Sequence, residues 1–418
     1  MSAHAEPATA PTALGEPTTP VPRRWVAAVS IASVGSWSAL FGPIQVLLAL
    51  QAAQLAPHGK QAVFGLVTGL GAAVAVVANP VFGALSDRTT SRFGRRLPWV
   101  AASTVAGAAS LVLLTWAPDV AAMALGWCLA QAAFNAFYAA LAAAVPDQVP
   151  RTQRGVVSGW LGLAQTAGIV VGTALAALSG GITAGYLACA ALALVSAVPY
   201  LAARRDIVLP RSQRPALRLR PFLASFWIDP RRHPDFAWAF ATRMLMKLCN
   251  AMGTLYLLYY LQDQVRRTDA KTDVLVLTAL YAAAVLGTAI ALGTWSDRVA
   301  RRRPFVTASG VVMAVAAVIL AAWPTWPGAI TAAVVFGVGY GGYASVDFAL
   351  LTEVLPTAAD RGKDLGVINI ADSLPQVLAP AVAAPIVVHA GGYPTLYAVA
   401  AAFSLSGGVL VRRIRSVR

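Results

Sequence analysis

The chain has 418 residues, 58% of them hydrophobic and only 12% charged, with a mean hydropathy of +0.66. Soluble domains carry about 25% charged residues, so half that share excludes an ordinary soluble protein and points to an integral membrane one. The net charge of +15 suits a nucleic-acid binder, but the basic residues fall in short loops between apolar runs, which leaves no nucleic acid among the expected partners.

In chain order, residues 1–22 are rich in Pro, Thr and Ala and lack a long apolar run, so they are read as a disordered cytoplasmic tail without a signal peptide. A bilayer-spanning helix needs about 20 apolar residues. Twelve stretches qualify: 25–50, 61–85, 97–117, 119–145, 155–180, 182–203, 236–261, 273–295, 304–323, 328–352, 364–389 and 394–411. The expected architecture is an all-α integral membrane protein with twelve transmembrane helices. It divides into an N-terminal six-helix bundle (23–203), a basic cytoplasmic linker (204–235), a C-terminal six-helix bundle (236–411) and a basic tail (412–418). Of the 32 Lys and Arg, 26 lie on the side holding both termini, four on the other side, and Arg243 and Lys247 lie inside a span. Positive charge is retained in the cytosol, so both termini are expected there, in the cytoplasmic membrane.

Two stretches repeat. "GALSDRTTSRFGRRLPWV" begins at Gly83 and "GTWSDRVARRRPFV" at Gly293, 210 residues later. Each runs Gly-x-x-Ser-Asp-Arg into a basic cluster, then Pro and an aromatic residue. A second pair follows the fourth and tenth spans: "PDQVPRTQRG", with Asp147 and Arg154, and "TEVLPTAADRG", with Glu353 and Arg361. Two similar six-span halves joined by a basic loop are the internal symmetry of a secondary transporter. On these motifs the sequence resembles the major facilitator superfamily over essentially its whole length. The long form of the first loop, Ser86-Asp87-Arg88 through Arg92-Phe93-Gly94-Arg95-Arg96 to Pro98, and "GVINIADSLPQ" at 366–376 look most like the sucrose-transporter and glycoside–pentoside–hexuronide cation symporter branch. That resemblance implies two pseudo-symmetric bundles and cation-coupled uptake of a sugar or glycoside. The chain departs from the melibiose type, whose second span carries paired carboxylates; residues 61–85 hold none, only Asn79, which speaks for protons rather than sodium.

The loop charges have a plain reading, that they only fix topology, and a sharper one, a cytoplasmic gate. In the gate, Asp87 meets the positive N-terminal end of the eleventh span behind Arg361, and Asp297 mirrors it against Arg154. Asp147 and Glu353 then accept hydrogen bonds from Arg88, Arg95 or Arg96 and from Arg302 or Arg303. Exposed ion pairs of this kind contribute about 0–1 kcal/mol each, which keeps both states of a gate populated.

Four ionisable residues lie well inside spans: Arg243, Lys247, Asp347 and Asp372. At 1.5 Å per residue Arg243, Asp347 and Asp372 sit about 9–10 Å from the cytoplasmic side and Lys247 about 16 Å. They are either a static salt-bridge network or a coupling site in which Asp347 or Asp372 carries the proton. Amides and tyrosines share helix faces nearby: Gln131, Asn135 and Tyr138; Tyr340, Tyr343 and Asp347; Asn369, Asp372 and Gln376; with Gln45 and Gln165 besides. Such groups suit a neutral, hydroxyl-rich ligand or serve as interhelical glue. Gly65/Gly69, Gly155/Gly159 and Gly168/Gly172 are expected at close helix contacts.

The three cysteines (Cys128, Cys189, Cys249) sit in apolar runs without a CxxC, and HExxH and GK[ST] motifs are absent from the sequence. No cofactor, metal or enzymatic activity is expected. The leading expectation is proton-coupled symport of a sugar or glycoside by alternating access; the alternatives are a proton-coupled exporter of a drug or metabolite and a transport-inactive sensor. A monomer suffices.

Overall fold

All twelve apolar stretches are helical, and among the described residues there is no strand. The computed structural model describes residues 15–214, 231, 233–299, 302–354 and 361–414. For 294, 297, 299, 348, 349, 351–354 and 361–373 the backbone alone is described.

The first span consists of α1 (Arg23–Gly42), a π-helical turn (Pro43–Leu47) and α2 (Leu48–Leu55). There follow α3 (Lys60–Asp87), α4 (Leu97–Leu114), α5 (Val120–Gln148), α6 (Arg151–Leu178) and α7 (Ile182–Ala202). The seventh span is α8 (Pro234–Leu255) continued by α9 (Leu257–Asp263). The rest are α10 (Ala270–Val299), α11 (Arg303–Ala322), α12 (Trp326–Val354), α13 (Arg361–His389) and α14 (Gly392–Leu410). Ten spans are long and apolar enough to cross a membrane on their own terms. The other two are α8, which carries Asp235, Arg243 and Lys247, and α13, whose apolar part is Leu374–His389.

Helix ends follow local chemistry. Asp119 caps α5 by accepting from the Ala122 N–H at 2.8 Å. Proline opens α4, α8 and α11, where its missing N–H costs nothing. Inside a span proline acts differently: Pro43 offers no N–H and crowds the carbonyl a turn back. The ladder widens there into a π turn, closed by Leu48 N–H on the Pro43 carbonyl. The expected span 25–50 therefore runs on to Leu55 through an irregular turn. The expected span 236–261 is likewise broken, at Tyr256 (φ −98°, ψ 14°). Tyr256 lies 210 residues after Val46, the same offset as Gly293 from Gly83, so both halves break their first helix at the same place.

In the N-terminal bundle α1 packs on α6 and α7, α3 on α5, and α4 on α5 and α7. In the C-terminal bundle α8 packs on α13 and α14, α10 on α12, and α11 on α12 and α14. The bundles meet along α3–α13 and α6–α10. Helix direction puts the 88–96 loop, the start of α1, the end of α7 and the end of α14 at one end of the molecule, the near end. The turns at 56–59, 264–269 and 390–391 lie at the far end.

The small-residue pairs divide. A Cβ on Gly65 would meet the Tyr256 hydroxyl at 2.6 Å and Ala384 Cβ at 2.8 Å, across the bundle interface. Gly168 and Gly172 lie against Trp37 and Ser38 within one bundle. Gly155 and Gly159, expected at a close contact, have no described atom within 4 Å of that position.

Candidate functional site

At the near end the first repeated loop folds onto its own bundle. Gly94 takes φ +98°, a conformation that side chains resist, and a Cβ there would lie 2.4 Å from Asp206. This turn brings Arg95 and Arg96 back over α3 and α5. Arg96 is 1% exposed. Its Nε donates to Asp147 Oδ2 at 2.7 Å, one Nη to Asp87 Oδ1 at 2.5 Å and the other to Ser86 Oγ. Arg95 donates to Asp147 at 2.9 Å and lies 3.8 Å from Asp87. Burial alone lowers an arginine's pKa, but Asp147 and Asp87 outweigh it and hold Arg96 above its ordinary value. These described pairs join elements of one bundle, so they brace the loop against α3 and α5 rather than tie the halves together.

Asp206, from the start of the linker, completes this cluster and was not singled out in the sequence. Its Oδ2 accepts from Arg96 N–H at 2.6 Å and Leu97 N–H at 2.8 Å, and its Oδ1 from Ile207 N–H at 2.9 Å. It thus caps α4, whose N-cap Arg96 has no capping side chain of its own. Burial pushes the carboxyl above the ordinary range, against the opposing pull of those backbone N–H groups.

The other expected gate residues are placed as follows. Arg88 closes α3 through its backbone N–H. Arg302 is the N-cap residue of α11. Arg154, expected to face Asp297, donates to the carbonyls of Val149 at 3.0 Å and Pro146 at 3.2 Å and lies 3.6 Å from Glu16. The side chains of Asp297, Glu353 and Arg361 lie outside the described ones.

Within the C-terminal bundle α8 and α12 bring together residues 104 apart. Arg243 donates to Asp347 Oδ2 at 2.5 Å, and the Tyr343 hydroxyl donates to Asp347 Oδ1 at 2.6 Å. Arg243 and Asp347 are 5% and 8% exposed, so both charges are held almost dry. A buried pair is stable only while both members stay; removing one leaves an uncompensated charge. Lys247 follows one turn along α8 and is half-buried. Next on that helix Asn250 accepts from the Tyr281 hydroxyl at 2.7 Å. Tyr281, Tyr340 and Tyr343 form a row with ring centres 6.2 and 6.0 Å apart, leading to Asp347. Tyr281 and Asn250 were not expected, although Asn250 continues the spacing of Arg243 and Lys247 along α8, which was the signal available. The side chains of Asp372 and Asn369 lie outside the described ones, and Gln376 is exposed.

Across the interface, Asn135 donates to the Gln131 carbonyl at 2.8 Å and to its Oε1 at 3.1 Å, so these amides bond along α5. Gln131 and Gln45 are buried. Tyr138 is 43% exposed and meets Trp37 edge-on at 5.3 Å. Gln165 is half-buried on α6. Among the described residues no group of three His, Cys, Asp or Glu is arranged to hold a metal ion.

The far end holds a set of bonds that the sequence did not reveal. Asp263, last residue of α9, accepts from Lys60 Nζ at 2.7 Å, Gln61 Nε2 at 3.1 Å and the Tyr393 hydroxyl at 2.8 Å. Tyr259 donates to the Ala49 carbonyl at 2.7 Å, and Tyr256 to the Gln61 carbonyl at 3.2 Å. Each of these bonds except that from Tyr393 crosses from one bundle to the other. The break at Tyr256 and the π turn at Pro43–Leu47 put these tyrosines and backbone carbonyls in reach of each other.

The comparisons agree with this architecture. The Major Facilitator Superfamily pattern matches residues 26–268 and 267–418. Myo-inositol transporter 3C of Cryptococcus neoformans is 37% identical over 122 residues, 29% of this chain and 20% of that protein. The General alpha-glucoside permease of Schizosaccharomyces pombe is 44% identical over 45 residues, 11% of this chain and 8% of that protein. The matched regions thus span a fifth or less of these relatives. The fold is similar to that of the nucleoside transporter NupG, with TM-scores of 0.73 and 0.71 in two crystal structures at 13% identity, covering 94% of this chain and 100% of that one. Twelve spans in two similar bundles, the repeated loop and the pattern matched from residue 26 to 418 have one explanation: this chain belongs to the major facilitator superfamily.

Proposed function

We propose that the protein carries a small, neutral, hydroxyl-rich solute, a sugar, glycoside or polyol, across the cytoplasmic membrane by alternating access, coupled to protons. The near end faces the cytoplasm in this reading, because 26 of 32 Lys and Arg lie on that side. The far-end bonds from Lys60 and Gln61 to Asp263 and from Tyr259 to Ala49 are the closed external gate.

The observation that carries the reading is the buried Arg243–Asp347 pair with Tyr343. An intramembrane charge is expensive and rarely kept without a task. Protonation of Asp347 cancels its attraction for Arg243 and leaves a buried guanidinium in search of a partner. Helix rearrangement that supplies one links proton binding to cavity opening. Asp372 is proposed as the alternative proton carrier, with Lys247 as a coupling residue beside the Arg243–Asp347 pair. Gln45, Gln131, Asn135, Asn369 and Gln376, with Tyr138 and the Tyr281–Tyr340 row, are proposed to line the solute path; amides and ring faces bind hydroxylated rings without charge. The names of the matched relatives, an inositol transporter and a glucoside permease, support a neutral polyhydroxylated solute.

Exchange across liposomes tests this without assuming coupling. Vesicles loaded with an unlabelled candidate should accumulate the same labelled compound from outside. The expected result is exchange of myo-inositol or an α-glucoside, and none of a nucleoside. Exchange of nucleosides alone would overturn the sugar reading.

A further inference from the structure

We infer that residues 16–21 form a strap that holds the near end of α6 and favours the conformation in which that end is open. This rests on the alternating-access reading above. Helix α6 follows Pro150, has no side-chain cap and no acidic residue in its first turn. Its unsatisfied N–H groups carry roughly half a positive charge, to which Arg151 and Arg154 add two more. Glu16 supplies the missing carboxylate from 135 residues away: it accepts from Arg151 Nε and lies 3.6 Å from Arg154. Five residues on, Val21 N–H donates to Gln153 Oε1 at 2.8 Å. The Val21 side chain is 5% exposed and packs with Trp25, Val149 and Val157. Two anchors thus fix the segment, and Pro17, Pro20 and Pro22 restrict the chain around and between them.

The helix it holds is one of those along which the bundles meet, α6 against α10. The last turns of α10 carry Asp297 at the same end of the molecule. Gly155, Gly159 and Gly162 on the near part of α6 have no described atom within 4 Å of an added Cβ, and Gly159 is exposed. In the gate expected from the sequence repeat, Asp297 meets Arg154 when that end closes. Glu16 occupies the same guanidinium and the same helix end, so strap and closure compete. The Arg151 side chain is 76% exposed and that of Glu16 44%, so the contact is a weak one that biases the equilibrium without locking it.

The test uses the full chain, with Cys128 replaced, in liposomes with Gly159→Cys as a reporter and a membrane-permeant maleimide. Glu16→Gln should slow labelling about two- to fivefold, because the near end closes more often. Adding Asp297→Asn should restore the parent rate. An unchanged rate in Glu16→Gln, or a slowed rate that Asp297→Asn leaves slow, overturns the inference. The readout needs no solute and no gradient, so a negative exchange panel leaves it standing.

Discussion

Replacing Asp263 by Asn should open the far end. The carboxylate accepts three bonds, from Lys60 at 2.7 Å, Tyr393 at 2.8 Å and Gln61 at 3.1 Å. Asparagine keeps the shape and one acceptor oxygen but loses the charge. Hydrogen bonds to a charged group contribute about 1.5–3 kcal/mol when dry, and exposed ion pairs about 0.2–1 kcal/mol. The Lys60 and Asp263 side chains are 20% and 30% exposed, between those limits. A loss of about 1–1.5 kcal/mol follows, a shift of about five- to tenfold in the closed-to-open ratio. Spin labels at His58→Cys and Thr268→Cys, both exposed and in opposite bundles, report it by pulsed distance measurement after Cys128 is replaced. The wild type should give one short distance and Asp263→Asn a second, longer population. Lys60→Met should do the same, and the double variant should add little, since both break one interaction. Superimposable distributions in all four proteins would show that the Lys60–Asp263 bond does not hold the far end shut.

Gly65→Val should hold the far end open more strongly, because its Cβ would lie 2.6 Å from the Tyr256 hydroxyl and 2.8 Å from Ala384; the same labels read it. Asp147→Ala should lower thermal stability in detergent by about 1.5–3 kcal/mol, since it removes charged hydrogen bonds to Arg95 and the fully buried Arg96 and leaves Asp87 to hold both. Asp87→Asn, whose carboxylate is 54% exposed, should cost less than about 1 kcal/mol while slowing solute exchange. Asp206 gives a pH signature. Its carboxyl is raised in the folded protein, so the stability tied to its protonation is fully present below its ordinary pKa and is lost as pH rises through the raised one. Unfolding curves across the acid range should show that decline in the wild type and a flatter profile in Asp206→Asn.

The helices were legible because a membrane span writes itself as about 20 apolar residues, and the two halves because loops at Gly83 and Gly293 repeat. Arg243 and Asp347 stood out for the same reason in reverse, as charges where charge is expensive. Their pairing followed from matched depth. The far-end bonds left no such trace. Asp263 and Tyr393 lie at helix ends, where polar residues are ordinary, and the distances along the chain to Asp263, 203 residues from Lys60 and 130 from Tyr393, hide their meeting. The π turn at Pro43–Leu47 breaks the first span without a periodic signal in the sequence, and so did not announce the bond from Tyr259 to the Ala49 carbonyl. Asp206 was one residue in a basic linker until the Gly94 turn brought the α4 N-terminus to it. Glu16, likewise, lay in a stretch rich in Pro and Thr that gives no periodic signal.

Flux of protons with solute reads the proposed coupling at Asp347 itself. Liposomes containing the protein and a pH-sensitive dye would receive sugars, glycosides and polyols outside. Proton coupling through Asp347 requires acidification of the lumen by at least one of them in the wild type and none in Asp347→Asn, with that variant shown to be folded. Solute entry without acidification, or acidification that persists in Asp347→Asn, would contradict it.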